Sequence, residues 1–175
     1  IRDRRLTELQ NSKAENPEEY WVNATYPEII DHILVRYHQR HREQLQELIV
    51  LADRVESVHG DREDCPIGVA AELRNVYEDL SNHMMKEEHV LFPMIKAGNY
   101  MMAQMPIRMM EMEHAEHGEH LDVLKSLTNN MTPPADACNT WRALYSGIQE
   151  FADDLMMHIH RENNILFPRV IAENH

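Results

Sequence analysis

A chain of 175 residues with 43% hydrophobic content suits one domain with one core. Its 17 basic against 30 acidic residues leave a formal charge of −13, which argues against a nucleic-acid backbone or an anionic membrane as partner. Cys65 and Cys138 stand far apart with no Cys-x-x-Cys pair, so neither a disulfide framework nor a thiolate zinc site is expected, and a cytoplasmic location fits.

Only five glycines, with frequent Ala, Leu, Met, Glu and Arg, favour helix. No apolar run approaches the ~20 residues needed to span a bilayer. Residues 1–24 are polar and weakly patterned, and read as a linker or a short N-terminal helix over Ile1 to Lys13, interrupted by Asn16-Pro17. The domain proper is expected over 25–175. Its first helix starts at the capping-box pattern Thr25-x-x-Glu28, with Pro27 tolerated in the first turn, and runs to His59-Gly60. Its apolar seam is Ile30, Ile33, Tyr37, His41, Leu45, Leu48. A second helix follows Pro66 and stops at Ala97-Gly98, with the seam Leu73, Val76, Leu80, His83, Glu87, Val90 and Met94 in alternating steps of three and four. The third is expected from Pro106 to Asn129-Asn130, and the fourth from Ala135 to Ala172. Pro93 and Pro168 fall in the last turns of helices two and four, where each should kink or loosen the helix. Four long helices with short connections predict an all-α, antiparallel up-down four-helix bundle.

One phrase occurs twice. His83-x-x-x-Glu87 with Leu91-Phe92-Pro93 returns 75 residues later as His158-x-x-x-Glu162 with Leu166-Phe167-Pro168. Upstream of each copy lies His-x-x-His, as His38 to His41 and His114 to His117. On a helix, residues four apart stack with Cβ atoms roughly 6 Å apart, so each His–Glu pair can reach one cation. A carboxylate in an apolar seam is costly to desolvate unless it is paired or bound to metal, and the nearby Lys86 and Arg161 are expected to point off the seam. Imidazole with carboxylate suits iron, manganese or zinc rather than calcium or magnesium. Six core ligands, His38, His83, Glu87, His114, His158 and Glu162, exceed one tetrahedral ion. Two metals sharing both carboxylates account for all six.

Other residues read less sharply. His41 and His117 share the seam, where a ligand and a hydrogen-bonded neighbour look alike. Asp79 and Asp154 precede His83 and His158 by four and could accept the outer N–H of those imidazoles, or could be polar residues at the bundle margin. Met84, Met94, Met110 and Met156 occupy core-like positions. Cys138 reads as an ordinary free thiol.

Several phrases resemble the repair-of-iron-centres proteins of the hemerythrin-like cation-binding family. They are Glu28-Ile29-Ile30-Asp31-His32-Ile33 with Val35-Arg36-Tyr37-His38, Ser81-Asn82-His83-Met84-Met85-Lys86-Glu87-Glu88 with Leu91-Phe92-Pro93, and Asn129-Asn130-Met131-Thr132-Pro133-Pro134. The resemblance covers about residues 20–172. It implies a hemerythrin-like bundle and a di-iron centre, oxo- and carboxylate-bridged, held by His38, His83, Glu87, His114, His158 and Glu162. It implies a cytoplasmic protein that helps restore iron–sulfur clusters damaged by oxidative or nitrosative stress. The partners expected are iron, O2 or NO as small ligands, and damaged iron–sulfur proteins; a homodimer is left open, as is redox turnover of NO or O2. Such proteins commonly carry a small N-terminal domain with an adjacent Cys pair, which nothing in this chain matches. Reversible O2 binding or sensing, as in hemerythrins, and a di-iron NO reductase or peroxidase are the alternatives.

Overall fold

The structure, a computed structural model, describes residues 17–175. The helix considered over Ile1 to Lys13 lies outside them. Every regular element among the described residues is helical. Four rods make the bundle: α2 (Tyr26–Ile33) continuing through a π turn (Leu34–His38) into α3 (Gln39–His59); α4 (Val69–Lys86) through a π turn (Glu87–Leu91) into α5 (Phe92–Lys96); α6 (Tyr100–Leu127); and α7 (Asn139–His160) through a π turn (Arg161–Leu166) into α8 (Phe167–Ala172). A short α1 (Pro17–Asn23) precedes them and buries Trp21. Rods consecutive in sequence pack side by side, and α3 closes the ring against α7, as short connections between antiparallel helices require.

Local chemistry sets the ends. Thr25 Oγ1 accepts the Glu28 backbone N–H at 3.3 Å, as the capping pattern predicts. The α4 N-terminus begins after Gly68, whose φ of 101° is left-handed backbone that glycine adopts without strain. Its free N–H groups are capped from the first rod: Glu56 accepts from Gly68 N at 2.6 Å and Ala70 N at 3.1 Å. Gly98 (φ 79°) turns the chain after α5, where the sequence places a stop.

Two ends differ from the expectation. The third helix begins at Tyr100, and Pro106 lies inside it. Its early turns are held by tertiary contacts: Ala103 is fully buried, Tyr26 packs edge-on against Tyr100, and Asn174 donates to the Tyr100 carbonyl. That packing outweighs the hydrogen bond a mid-helix proline removes. The fourth helix starts at Asn139 rather than Ala135, because Arg142 donates to the carbonyls of Pro134, Ala135 and Ala137 and holds that stretch as a loop.

Pro93 and Pro168 each follow a π turn and open the short helix after it. Phe92 N–H reaches back five residues to Glu87 O, and Phe167 N–H to Glu162 O. A wider turn there shifts the carbonyl that a proline ring would otherwise strike.

The apolar core forms two clusters. One includes Leu45, Leu73, Leu80, Trp141, Phe151 and Leu155; the other Ile30, Ile33, Phe92, Ile107, Phe167 and Val170. Each buried side chain of this size is worth about 1.5–3 kcal/mol, so the stability resides in these two plugs. Met84 and Met110 join them, Met94 is only partly buried, and Met156 is 56% exposed, on the solvent face one step off the α7 seam.

Candidate metal centre

The buried polar side chains of the rods meet at one level. His38 ends the first π turn, Glu87 opens the second and Glu162 lies in the third; His83 and His158 sit four residues before their glutamates, and α6 supplies His114. None of the six is more than 4% exposed. They fall into two quartets, His38–Glu87–His158–Glu162 and His83–Glu87–His114–Glu162, in each of which one ligand atom per residue lies within 4.8 Å of all the others. Both glutamates belong to both quartets.

The contacts are close. Glu87 Oε1 lies 3.1 Å from His38 Nε2 and 3.3 Å from His83 Nε2. Glu162 Oε1 is 2.8 Å from His114 Nε2, and its Oε2 is 3.1 Å from His158 Nε2. Behind the histidines, the outer nitrogens are engaged. His38 Nδ1 donates to Glu88 Oε2 at 2.7 Å, and Glu88 is itself gripped by Arg42 through both oxygens at 3.0 Å. His114 Nδ1 donates to Asn163 Oδ1 at 2.7 Å. His83 Nδ1 faces Glu113 Oε1 at 3.3 Å, with Lys86 on the other carboxylate oxygen. His158 Nδ1 meets His41 Nε2 at 3.1 Å.

These outer bonds decide the chemistry inside. An imidazole that donates from Nδ1 presents a lone pair at Nε2. His83 Nε2 and His114 Nε2 then face each other at 3.1 Å, and His38 Nε2 and His158 Nε2 at 3.2 Å, with two carboxylates between them. Glu87 Oε2 is buried with no hydrogen-bond partner. So dense a set of acceptors, without donors to match, fits positive charge at its centre. The titration behaviour agrees. Burial, and then the charge of Glu162, push the Glu87 carboxyl well above the usual range, and burial pulls His83 down to about 2. In a dry chamber the two acids cannot both ionise cheaply, and His38 and His83 resist protonation. Bound cations remove both costs, so this donor set fits a pair of metal ions.

All six residues singled out from the repeat are therefore brought together. His41 and His117 stand one step behind. His41 contacts His158 as described, and the His117 ring meets the His83 ring edge-on at 4.7 Å; neither belongs to a quartet, and each keeps a buried Nδ1 without a partner. Asp79 and Asp154 do not back the candidate ligand histidines. Asp79 accepts from His120, and Asp154 accepts from Arg36 and Gln44, because their side chains leave the bundle interior for its margin. Lys86 points off the seam as expected, but Arg161 is 5% exposed. The outer partners Glu88, Glu113 and Asn163 escape a reading of repeated residue types, since the two halves use different residues there. Their signal is adjacency: each is next in sequence to a ligand candidate, Glu87, His114 or Glu162.

An acidic cavity of about 350 Å³ opens beside this level, lined by Asp79, Lys86, Met109, Glu113, Glu116 and His117 among others.

The model of the hemerythrin HHE cation-binding domain matches residues 29–170, which include every residue of both quartets. The chain belongs to that family. Within the hemerythrin HHE family it is similar to a probable iron–sulfur cluster repair protein of Haemophilus influenzae, at 67% identity over 98% of this chain and 77% of the relative. It is also similar to the iron–sulfur cluster repair protein YtfE of Musicola paradisiaca, at 57% identity over 95% of this chain and 74% of that protein, and to YtfE of Escherichia coli O81, at 58% over 91% and 73%. A cation-binding HHE domain accords with an interior made of acceptors. Among the described residues no helix is long and apolar enough to cross a membrane.

Proposed function

We propose that this chain is a di-iron protein that supplies iron for the repair of damaged iron–sulfur clusters. His38, His83, His114 and His158 would be terminal ligands and Glu87 and Glu162 the shared ones. The observation that carries this is the facing of Nε2 lone pairs and carboxylates in one buried chamber whose outer nitrogens are already engaged. The relatives are named for iron–sulfur cluster repair, which supports iron over other cations. Iron held there would be the cargo and, while bound, could take NO or O2 as a ligand.

The residues suit a donor better than a permanent cofactor site. Ferrous iron stands low in the Irving–Williams order, so a mixed imidazole–carboxylate set holds it without saturating it. The acidic cavity comes up to Glu113 and His117, which touch His83, and offers a hydrated, negatively charged way out for a cation. Free Cys65 and Cys138, one buried and one exposed, accord with a reducing cytoplasm.

The test is anaerobic. Protein reduced and loaded with two irons per chain is mixed with an apo iron–sulfur acceptor, with and without a chelator in the solution. Rebuilding of the acceptor's cluster with loss of iron from this protein supports the reading. Iron that stays bound while NO turns over to nitrous oxide would replace it with a reductase, and a reversible O2 adduct with a carrier.

A further inference from the structure

The chamber leaves a thiol–imidazole pair of the chain unused. Cys138 is exposed, and its Sγ lies 3.4 Å from His59 Nε2, within hydrogen-bond reach for sulfur. The two stand 79 residues apart in the chain, so spacing gives no sign of the pair and Cys138 reads there as an ordinary thiol. His59 is the last residue of α3 and Cys138 the N-cap of α7. Eighteen residues beyond His41, His59 lies about 27 Å along the helix axis from the level of the chamber.

The imidazole is held in place. Its ring packs on that of Trp141, which is fully buried, with centroids 5.0 Å apart. A nucleophile, a base within reach and a group that fixes the base make the arrangement of an activated thiol. Both helix ends favour moving the thiol proton to the imidazole, since the start of a helix stabilises negative charge and its end positive charge. Cys138 spends no side-chain hydrogen bond on capping the 22-residue α7, so its sulfur is left to His59. Cys65 shows the contrast. It is 8% exposed, its Sγ faces the Val55 carbonyl at 3.9 Å, and burial pushes its thiol up.

The pair also has a place for a ligand. Cys138 and His59 share a cleft of about 200 Å³ whose other walls are Arg54, Val55, Val58 and Thr140. Arg54 makes no ion pair or hydrogen bond among the described residues, although the chain carries 30 acidic side chains. A thiol, an apolar wall and an unmatched cation together select a small disulfide that carries carboxylates.

We propose that Cys138 and His59 form a second reactive site, at which the thiol exchanges with small acidic disulfides and is capped as a mixed disulfide. His59 Nε2 takes the proton from Cys138 Sγ, and the sulfur attacks the nearer sulfur of the incoming disulfide. The new S–S bond forms as the old one breaks, and the departing thiolate recovers the proton from His59. One protein thiol and one disulfide thus give one mixed disulfide and one free thiol, with no further oxidant or reductant. Arg54 holds a carboxylate of the ligand, and Val55 and Val58 flank its apolar part. No residue of the chamber takes part, so the site stands apart from the iron-supply reading.

The experiment mixes the reduced chain with oxidised glutathione and follows the product by intact-mass and peptide mass spectrometry. One glutathionyl group per chain, on Cys138, is expected. Cys65→Ser should take it at the parent's rate, and Cys138→Ser should take none. His59→Phe keeps a ring against Trp141 and should slow the reaction by at least about tenfold near neutrality, where an unassisted thiol is only a few per cent thiolate. Raising the pH toward about 8.5, where ordinary thiols ionise unaided, should close that gap; a merely structural role for His59 would leave it open. Arg54→Gln should slow the reaction of oxidised glutathione but not that of the uncharged bis(2-hydroxyethyl) disulfide. Circular dichroism checks the folding of each variant. Label on Cys65, or a His59→Phe chain that reacts as fast as the parent, overturns the site. An Arg54→Gln chain that treats both disulfides alike overturns the acidic ligand.

Discussion

His41 Nε2 lies 3.1 Å from His158 Nδ1, so one imidazole of the chamber is oriented by another imidazole rather than by an oxygen. His41 is fully buried between Tyr37, Phe151 and His158. Gln44, one turn further, donates to Asp154, which also takes Arg36. The acid that sequence spacing placed behind His158 thus anchors the neighbourhood of His41 from the bundle margin.

Replacing His41 by Phe keeps the volume of a ring but removes the acceptor for His158 Nδ1. Metal affinity should fall by about 10–100-fold, the range for losing a partner behind a ligating histidine, with helicity unchanged. Competition against a chelator of known affinity measures it, and an unaltered affinity would show that packing alone orients His158.

Glu87→Leu separates function from stability. The metal-free variant loses one of two facing buried acids, so it should melt at a higher temperature than the metal-free parent. It should no longer give a paired-metal signal. Added iron should raise the melting temperature of the parent much more than that of the variant, because only the parent's fold gains the full binding free energy. Thermal melts of both proteins, with and without iron, check all three statements.

Acidity should act on the metal-free chain from both sides. Burial holds His38 and His41 below the ordinary histidine value, pulls His83 to about 2 and His117 to about 3. Below about pH 6.5 the unfolded chain takes up protons there that the folded chain refuses, so stability falls as the pH falls through that value. Burial and the Glu162 charge raise Glu87; for His114 burial works against the charged form, but the Glu162 carboxylate raises it overall. The folded chain holds the excess proton above about pH 4.5 on Glu87 and above about pH 6.5 on His114, so their contribution declines as the pH rises from those values toward release. Urea midpoints should peak near neutrality and fall more steeply on the acid side, where more groups act.

Glu56→Ala tests the fold without touching the chamber. It removes the acceptor of two backbone N–H groups at the start of α4. A loss of about 1 kcal/mol, typical of a helix cap, should appear in urea unfolding, with metal uptake at saturation unchanged. Loss of iron binding instead would mean that the α4 terminus and the chamber are coupled.

The periodicity of the chain was enough for the helical rods, because steps of three and four place apolar residues on one face whatever lies opposite. It was also enough for the six polar residues in that face, since a doubled pattern of His and Glu has no packing explanation. Neighbours without periodicity were another matter. Pro106 reads as a helix start until the packing of Ala103 and Tyr100 is known, and Met156 reads as core although α7 turns it to solvent.

What the sequence determined alone is which residues can pair with a cation, for that follows from side-chain chemistry and helical pitch. What the tertiary structure decided is which groups stand behind them and which side admits water. Asp79 and Asp154 lie at the right spacing and point away, while Glu88, Glu113 and Asn163 come from other helices. Tyr37 and Glu113 hold the same place in the repeat, yet one closes its side of the chamber and the other borders a cavity. Contacts between rods depend on how the rods are rotated and set against one another, and no spacing along a single chain carries that information.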